Sequence, residues 1–252
     1  TAYSFRRGLH KMLPEHLEAF PNVSPLRGLR APELGEGALS GLQSRWPAAP
    51  AAWLEPGGDL SDLPIDHQVA PVSYRGGPRA GRERMRGFIE ERLADYPDDR
   101  NKPEADGASN LSPYLHFGHV GSHEVFEAVA AHEGWSLEEL ADEPTGKREG
   151  WWGMSEAAEA LLDELITWRE IGYNMTHRED DYDAYESLPD WARQPLEEHA
   201  EDEREYVYSL EEFEQARTHD ELWNAAQCQL VRDGHIHNYL RMLWGKKILH
   251  WT

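Results

Sequence analysis

Cysteine is almost missing from this chain of 252 residues: Cys228 is the only one. A lone thiol excludes an internal disulfide framework, and a reducing cytoplasm is the expected setting. Lysine is scarce as well. Its five copies are Lys11, Lys102, Lys147, Lys246 and Lys247, so arginine carries most of the positive charge. No apolar run approaches the roughly 18 residues of a membrane span, and no membrane partner is expected. The opening TAYSFRRGLHKM has neither the apolar stretch nor the small-residue cleavage site of a signal peptide. Strand alternation, a glycine-rich phosphate loop and a nucleophile elbow are all absent from the sequence pattern.

Acidic residues dominate what is there. Asp and Glu number 47 against 25 Lys and Arg, a formal net charge of −22. Such a surface repels nucleic acid at low ionic strength. At about 1 M salt the Debye length falls to ~3 Å and the repulsion is largely screened. Two readings stay open: an ordinary acidic protein with no nucleic-acid partner, or a halophilic protein whose acidity answers a salt-rich cytoplasm.

The apolar pattern predicts an all-α protein. Residues 3–20 read as helical around a break at Pro14. Residues 21–81 are rich in Pro, Gly and Ala and read as an irregular connection with a helical piece at 37–44. So long a connection fits a crossing between domains better than a loop within one. The division is therefore set at 1–80 and 81–252. From residue 80 on, helical periodicity prevails. SPYLHFG takes Ser112 as N-cap and Pro113 as first helical residue. SHEVFEAVAAHEG runs from Ser122 to a stop at Gly134. The segment 155–177 is the longest periodic stretch. THDELWNAAQCQLVRDG opens with a capping box, Thr218 and Glu221, and ends at Gly234.

Four features carry chemistry. HEVFE lacks the second histidine of a zinc helix and HIH lacks a third ligand, so no metal site is expected. Ser109, Asn110 and Ser112 precede a proline-opened helix, which is either a plain cap or an anion site. Glu164, Trp168 and Gly172 fall at i, i+4 and i+8 on one helical face, beside an apolar stripe that also reads as core. On the last helix Leu240, Trp244, Ile248 and Trp251 form one stripe and Asn238, Arg241, Met242 and Gly245 the next. A turn at Asp233–Gly234 would fold the preceding helix back and bring Trp223 to the tryptophan stripe. Closely spaced indoles are either core aromatics or a one-electron path.

Taken together, SNLSPYLHFGHVGSHEVFEAV, ELITWREIGYNMTH and LWNAAQCQLVRDGHIHNYLRMLWGKKILHWT strongly resemble the helical flavin domain of the DNA photolyase/cryptochrome family. The pattern is nearest to the class II cyclobutane pyrimidine dimer photolyases, from about residue 80 to the end. Residues 1–20 resemble the helix that closes the antenna-binding α/β domain. The resemblance implies FAD as cofactor and UV-damaged DNA as partner, with repair by one electron passed from reduced FAD to a flipped-out dimer. It implies FAD contacts at Tyr96, Ser109, Asn110, Leu111, Ser112, Asn238 and Arg241. It implies a dimer-facing carboxylate at Glu164 and dimer packing by Trp168 and Met242. Trp244, Trp223 and Trp251, in that order outward, would form the photoreduction chain. Arg100, Arg232 and Lys246 would meet DNA phosphates. HNYLRM speaks against the six-four photolyases, which are expected to carry histidine in this motif.

The chain also departs from the pattern. Asn238 stands where class II carries a small residue. The family's chain begins before residue 1 with an antenna domain and continues past residue 252 with further flavin contacts. The expectation is thus an incomplete, monomeric lyase chain without antenna pigment. A cryptochrome-like flavin photoreceptor and a truncated non-catalytic helical protein are the alternatives.

Overall fold

The computed structural model describes residues 2–22, 24–30, 32–33, 35–55 and 57–252, with the side chains of residues 36 and 38 excepted. The rest of the irregular connection foreseen over 21–81, at positions 23, 31, 34 and 56, lies outside the described residues. Every regular element among the described residues is helical, as the sequence pattern predicts. In order these are α1 Ala2–His16, α2 Glu36–Arg45, α3 Ala51–Leu54, α4 Pro78–Glu91, α5 Tyr96–Asp99, α6 Ser112–His116 and α7 Ser122–Glu133. Then come α8 Glu156–Leu162, a π-helical segment Asp163–Trp168, α9 Arg169–Arg178, α10 Asp190–Glu198, α11 Leu210–Glu214, α12 Glu221–Asp233 and α13 Asn238–His250, with short 3-10 turns at Leu137–Glu139 and Tyr185–Ser187. None is long and apolar enough to cross a membrane.

Two compact units emerge. Residues 21–71 form one, around α2 and α3, and none of its described hydrophobic side chains is buried. Residues 1–20 and 72–252 form the other. Its main core is built from Met85, Phe88 and Ile89 of α4, Val125, Phe126 and Val129 of α7, Leu161 and Leu162 of α8, and the Trp151–Trp152 pair. Each such side chain taken from water contributes roughly 1.5–3 kcal/mol. Close approach sets the α4 packing: a Cβ at Gly81 would lie 2.6 Å from a Val120 methyl. A second cluster gathers Phe213, Trp223 and Trp251, with Tyr208, Trp244 and Ile248 around them.

Several boundaries differ from expectation. Helix α1 runs through Pro14 instead of breaking there. The proline removes one N–H···O bond to the preceding turn, and the helix ends two residues later at His16. The cap of α6 is Leu111, with Ser112 and Pro113 both inside the helix. The cap of α12 is Asp220, whose carboxylate accepts the Trp223 N–H at 2.9 Å. Thr218 instead donates its hydroxyl to Asn224 Oδ1 at 2.8 Å. Asp220→Ala should therefore destabilise the fold by about 1 kcal/mol in urea denaturation. An unchanged midpoint would return the cap to Thr218. The stops at Gly134 and Gly234 stand, both glycines being left-handed at φ 66° and 65°.

The largest departure is in the segment 155–177. It is not one helix but α8 and α9 joined by the π-helical Asp163–Trp168. The extra residue in the wide turn shifts α9 relative to α8, so a single 3.6-residue period does not run through the whole segment.

Candidate functional site

A cleft of about 750 Å³ opens in the larger unit. Its walls come from α4, α5, the loop into α6, the π-segment and the turn into α13. Of the sequence-predicted residues, Tyr96, Arg100, Ser109, Asn110, Leu111, Ser112, Glu164, Asn238 and Arg241 all line it. The sequence separates them by more than a hundred positions; the packing of α5, α8 and α12–α13 brings them together.

Glu164 is anchored by charge. Its carboxylate accepts from Arg100 Nη1 at 2.6 Å. The Arg100 guanidinium also lies 5.5 Å from the centre of the Tyr96 ring. Burial alone would lower the pKa of Arg100, but its hydrogen bonds to Tyr96 and Glu164 outweigh burial and raise it. Burial, joined by the Glu164 charge, pushes the Tyr96 phenol up, so it stays neutral at physiological pH. The pair thus presents a fixed carboxylate with a free oxygen lone pair at the cleft wall.

The loop before α6 is tied from below. Arg84 Nε donates to the Ser109 carbonyl at 3.0 Å. Asn110 takes a left-handed φ of 55°, and its amide donates to Asp106 Oδ1 at 3.0 Å. Because α6 spans only five residues, its dipole adds little to anion binding, contrary to the helix-terminus expectation. What remains are the hydroxyls of Ser109 and Ser112, the Asn110 amide and the half-buried charge of Arg84.

His237, considered in the sequence only as half of a metal pair, proves to be part of the wall. Its Nδ1 accepts the Tyr239 N–H at 3.2 Å as the N-cap of α13. Burial and then the nearby His235 hold its pKa below the ordinary value. The neutral ring therefore carries its proton on Nε2, a buried atom with no partner among the described residues. An N–H in that position is a ready donor to a ligand. One turn on, Arg241 Nη2 donates to Asn238 Oδ1 at 2.5 Å, which steadies both cleft side chains.

The other predicted residues lie elsewhere. Trp168 and Met242 do not line the cleft and are 49% and 48% exposed. Arg232 is on the surface, bound to Asp233 at 2.6 Å, and Lys246 is exposed. The three tryptophans form their own ladder. Trp223 is the middle rung: its ring lies 5.9 Å from Trp244, nearly parallel at 4°, and 6.1 Å from Trp251. The indole N–H of Trp223 donates to the Trp244 carbonyl at 3.1 Å, and that of Trp244 to Gln227 Oε1 at 3.0 Å. Trp244 stands one turn beyond Arg241 on α13, so the ladder begins close behind the cleft wall.

Fold and site together define an all-α domain with an arginine-lined cleft and an adjoining ladder of indoles. No family model matches the chain. Relatives with curated names do. The chain is 35% identical over 252 residues to a deoxyribodipyrimidine photo-lyase of Potorous tridactylus, covering 100% of this chain and 41% of that protein. A protein of that name from Methanothermobacter thermautotrophicus is 38% identical over 203 residues, 79% of this chain and 40% of its own length. One from Arabidopsis thaliana is 32% identical over 255 residues, 100% of this chain and 46% of its own. This chain belongs to the photolyase/cryptochrome family. It spans less than half the length of these relatives.

Proposed function

We propose that this chain forms part of the cofactor and lesion site of a light-dependent pyrimidine dimer lyase of the class II type, with FAD as cofactor and UV-damaged DNA as substrate. The observation that carries the reading is Glu164, held against Arg100 and Tyr96 at the wall of a cofactor-sized cleft. About 300–1,000 Å³ is usual for such sites. The cleft suits an anionic, aromatic cofactor. Arg84, Arg100 and Arg241 supply positive charge, the Asn110 amide and the two serines supply hydrogen bonds, and the unpartnered Nε2–H of His237 awaits an acceptor. FAD, when bound and reduced, supplies the light-driven electron.

The chain's own residues then have distinct tasks. Ser109, Asn110 and Ser112 hold the phosphates, with Arg84 fixing their loop. Asn238, Arg241 and His237 face the polar parts of the cofactor. Glu164 and Arg100 meet the lesion, where a preorganised polar pair stabilises charge as it develops. Trp168 and Met242, exposed before DNA binds, pack on the dimer. The indole ladder runs from Trp244 through Trp223 to Trp251. Residues 81–252 carry this chemistry and the protein acts as a monomer. The net charge of −22 suits a salt-rich cytoplasm. Repair by the purified protein should then rise with added salt, and a steady fall would remove the halophilic reading.

The test is Glu164→Gln in the protein at its natural length. A charge-assisted hydrogen bond is worth about 1.5–3 kcal/mol. Its loss should slow dimer repair under blue light roughly ten- to hundredfold while flavin stays bound through gel filtration. An unchanged repair rate would falsify the assignment. Flavin retention without any repair in the parent protein would select a light sensor instead.

A further inference from the structure

Helix α1 makes an unusual contact with the π-segment, more than 150 positions away in the chain. Arg6 Nε donates to Asp163 Oδ1 at 2.7 Å and Nη2 to Oδ2 at 3.0 Å, a two-pronged fork. The third donor, Nη1, reaches the Gly146 carbonyl at 3.2 Å. Both partners are buried, Arg6 at 9% exposure and Asp163 at 5%. Gly146 allows the close seat: its φ is 72° and a Cβ there would sit 2.8 Å from the Tyr3 carbonyl.

Asp163 is the first residue of the π-segment and Glu164 the second. Successive side chains leave a helix in different directions, about 100° apart in the α form. The carboxylate of 163 points into the core toward α1, and that of 164 into the cleft toward Arg100. Two adjacent acids are thus clamped by two arginines from different elements. A π-turn departs from the α-helical register and is frequent at functional sites. A contact from outside the segment can fix its rotation.

Simple adhesion of α1 does not call for an ion pair. Burying two charges costs several kcal/mol, and well-packed apolar residues hold elements together as well or better. What a guanidinium fork adds is direction, since two parallel N–H···O bonds fix the plane of the carboxylate.

We propose that Arg6 is a positioning residue for Glu164: by locking the Asp163 carboxylate it sets the rotation of the π-segment and so aims the neighbouring carboxylate at Arg100 and the ligand. The proposal rests on the reading of Glu164 as the lesion-facing group, and its test separates the two.

The experiment uses the flavin-loaded protein at natural length and compares the parent, Arg6→Lys and the paired Arg6→Met/Asp163→Leu variant. Infrared spectra identify the Glu164 carboxylate as the band that Glu164→Gln removes. Repair yield is measured at saturating dimer-containing DNA. The paired variant should melt near the parent and keep its flavin. Its Glu164 band should shift as the Arg100 pairing loosens, and its yield should fall about tenfold or more, as small misplacements do. Arg6→Lys, which keeps the charge but loses the fork, should show a smaller shift in the same direction. A paired variant with band and yield unchanged would make Arg6 a plain staple and overturn the proposal. If the paired variant does not fold, Arg6→Lys decides alone, by a shifted band for the proposal or an unmoved one against it. If Glu164→Gln repairs as well as the parent, the lesion reading fails, and the band position by itself judges whether Arg6 aims Glu164.

Discussion

Asp163→Ala is expected to destabilise the protein by about 3–5 kcal/mol, the usual cost of removing one partner from a buried ion pair. The side-chain exposures are 11% for Arg6 and 4% for Asp163, so water cannot replace the lost carboxylate. The stranded guanidinium keeps only the Gly146 carbonyl as partner. For a domain with a total stability of about 5–15 kcal/mol, that loss is a large fraction. Urea denaturation at neutral pH measures it directly. Arg84→Ala and Arg92→Ala, which share the exposed Asp106, serve as controls expected to cost less. An Asp163→Ala midpoint within error of the parent would mean that the pair contributes nothing to stability.

The second large effect is acid lability through His10. Its ring stacks on Trp151 at 4.0 Å and 6°. Its Nδ1 accepts the Gly146 N–H at 3.4 Å. Burial, then the neighbouring Arg6 charge, lowers its pKa from 6.5 to about 4, with Asp163 opposing. The unfolded chain therefore takes up this proton at a higher pH than the folded one. The stability at issue is fully present above pH 6.5, is lost as pH falls toward about 4, and does not change further below that. At about 1.4 kcal/mol per pH unit the loss approaches 3 kcal/mol. His10→Phe keeps an aromatic ring on Trp151 and removes the titration. The difference in urea stability between neutral pH and pH 4 should shrink by that amount in the variant. An identical pH dependence in both proteins would show that His10 protonates freely in the fold.

These two effects arise at one place, the seat of α1 on the π-segment, and nothing local in the sequence marks it. Arg6 and His10 read as polar positions of an amphipathic helix. Asp163 reads as one of many acids in an acidic chain. A period of 3.6 fitted through residues 155–177 looks continuous because a π-turn keeps apolar residues inward while adding one residue to the turn. Trp168, four residues from Glu164, is half-exposed and does not line the cleft.

Local chemistry was read more faithfully where a single residue decides the backbone. Gly134 and Gly234 end their helices because left-handed φ costs glycine nothing. The tight turn at Gly234 does return α12 onto α13 and stack Trp223 against Trp244. Capping was less legible, because Thr218 and Asp220 both suit the role and only the direction of chain entry chooses between them.

The sequence by itself determined that the chain is helical, acidic and of the photolyase/cryptochrome family, because periodicity, composition and motif are properties of neighbouring residues. Tertiary structure alone decided which charges meet. Arg100 finds Glu164 and Arg6 finds Asp163 across long stretches of chain. It also left the Nε2–H of His237 buried at the cleft without a partner among the described residues. Such pairings depend on how helices cross and on which groups lose their water, and neither is written in the spacing of residues along one helix.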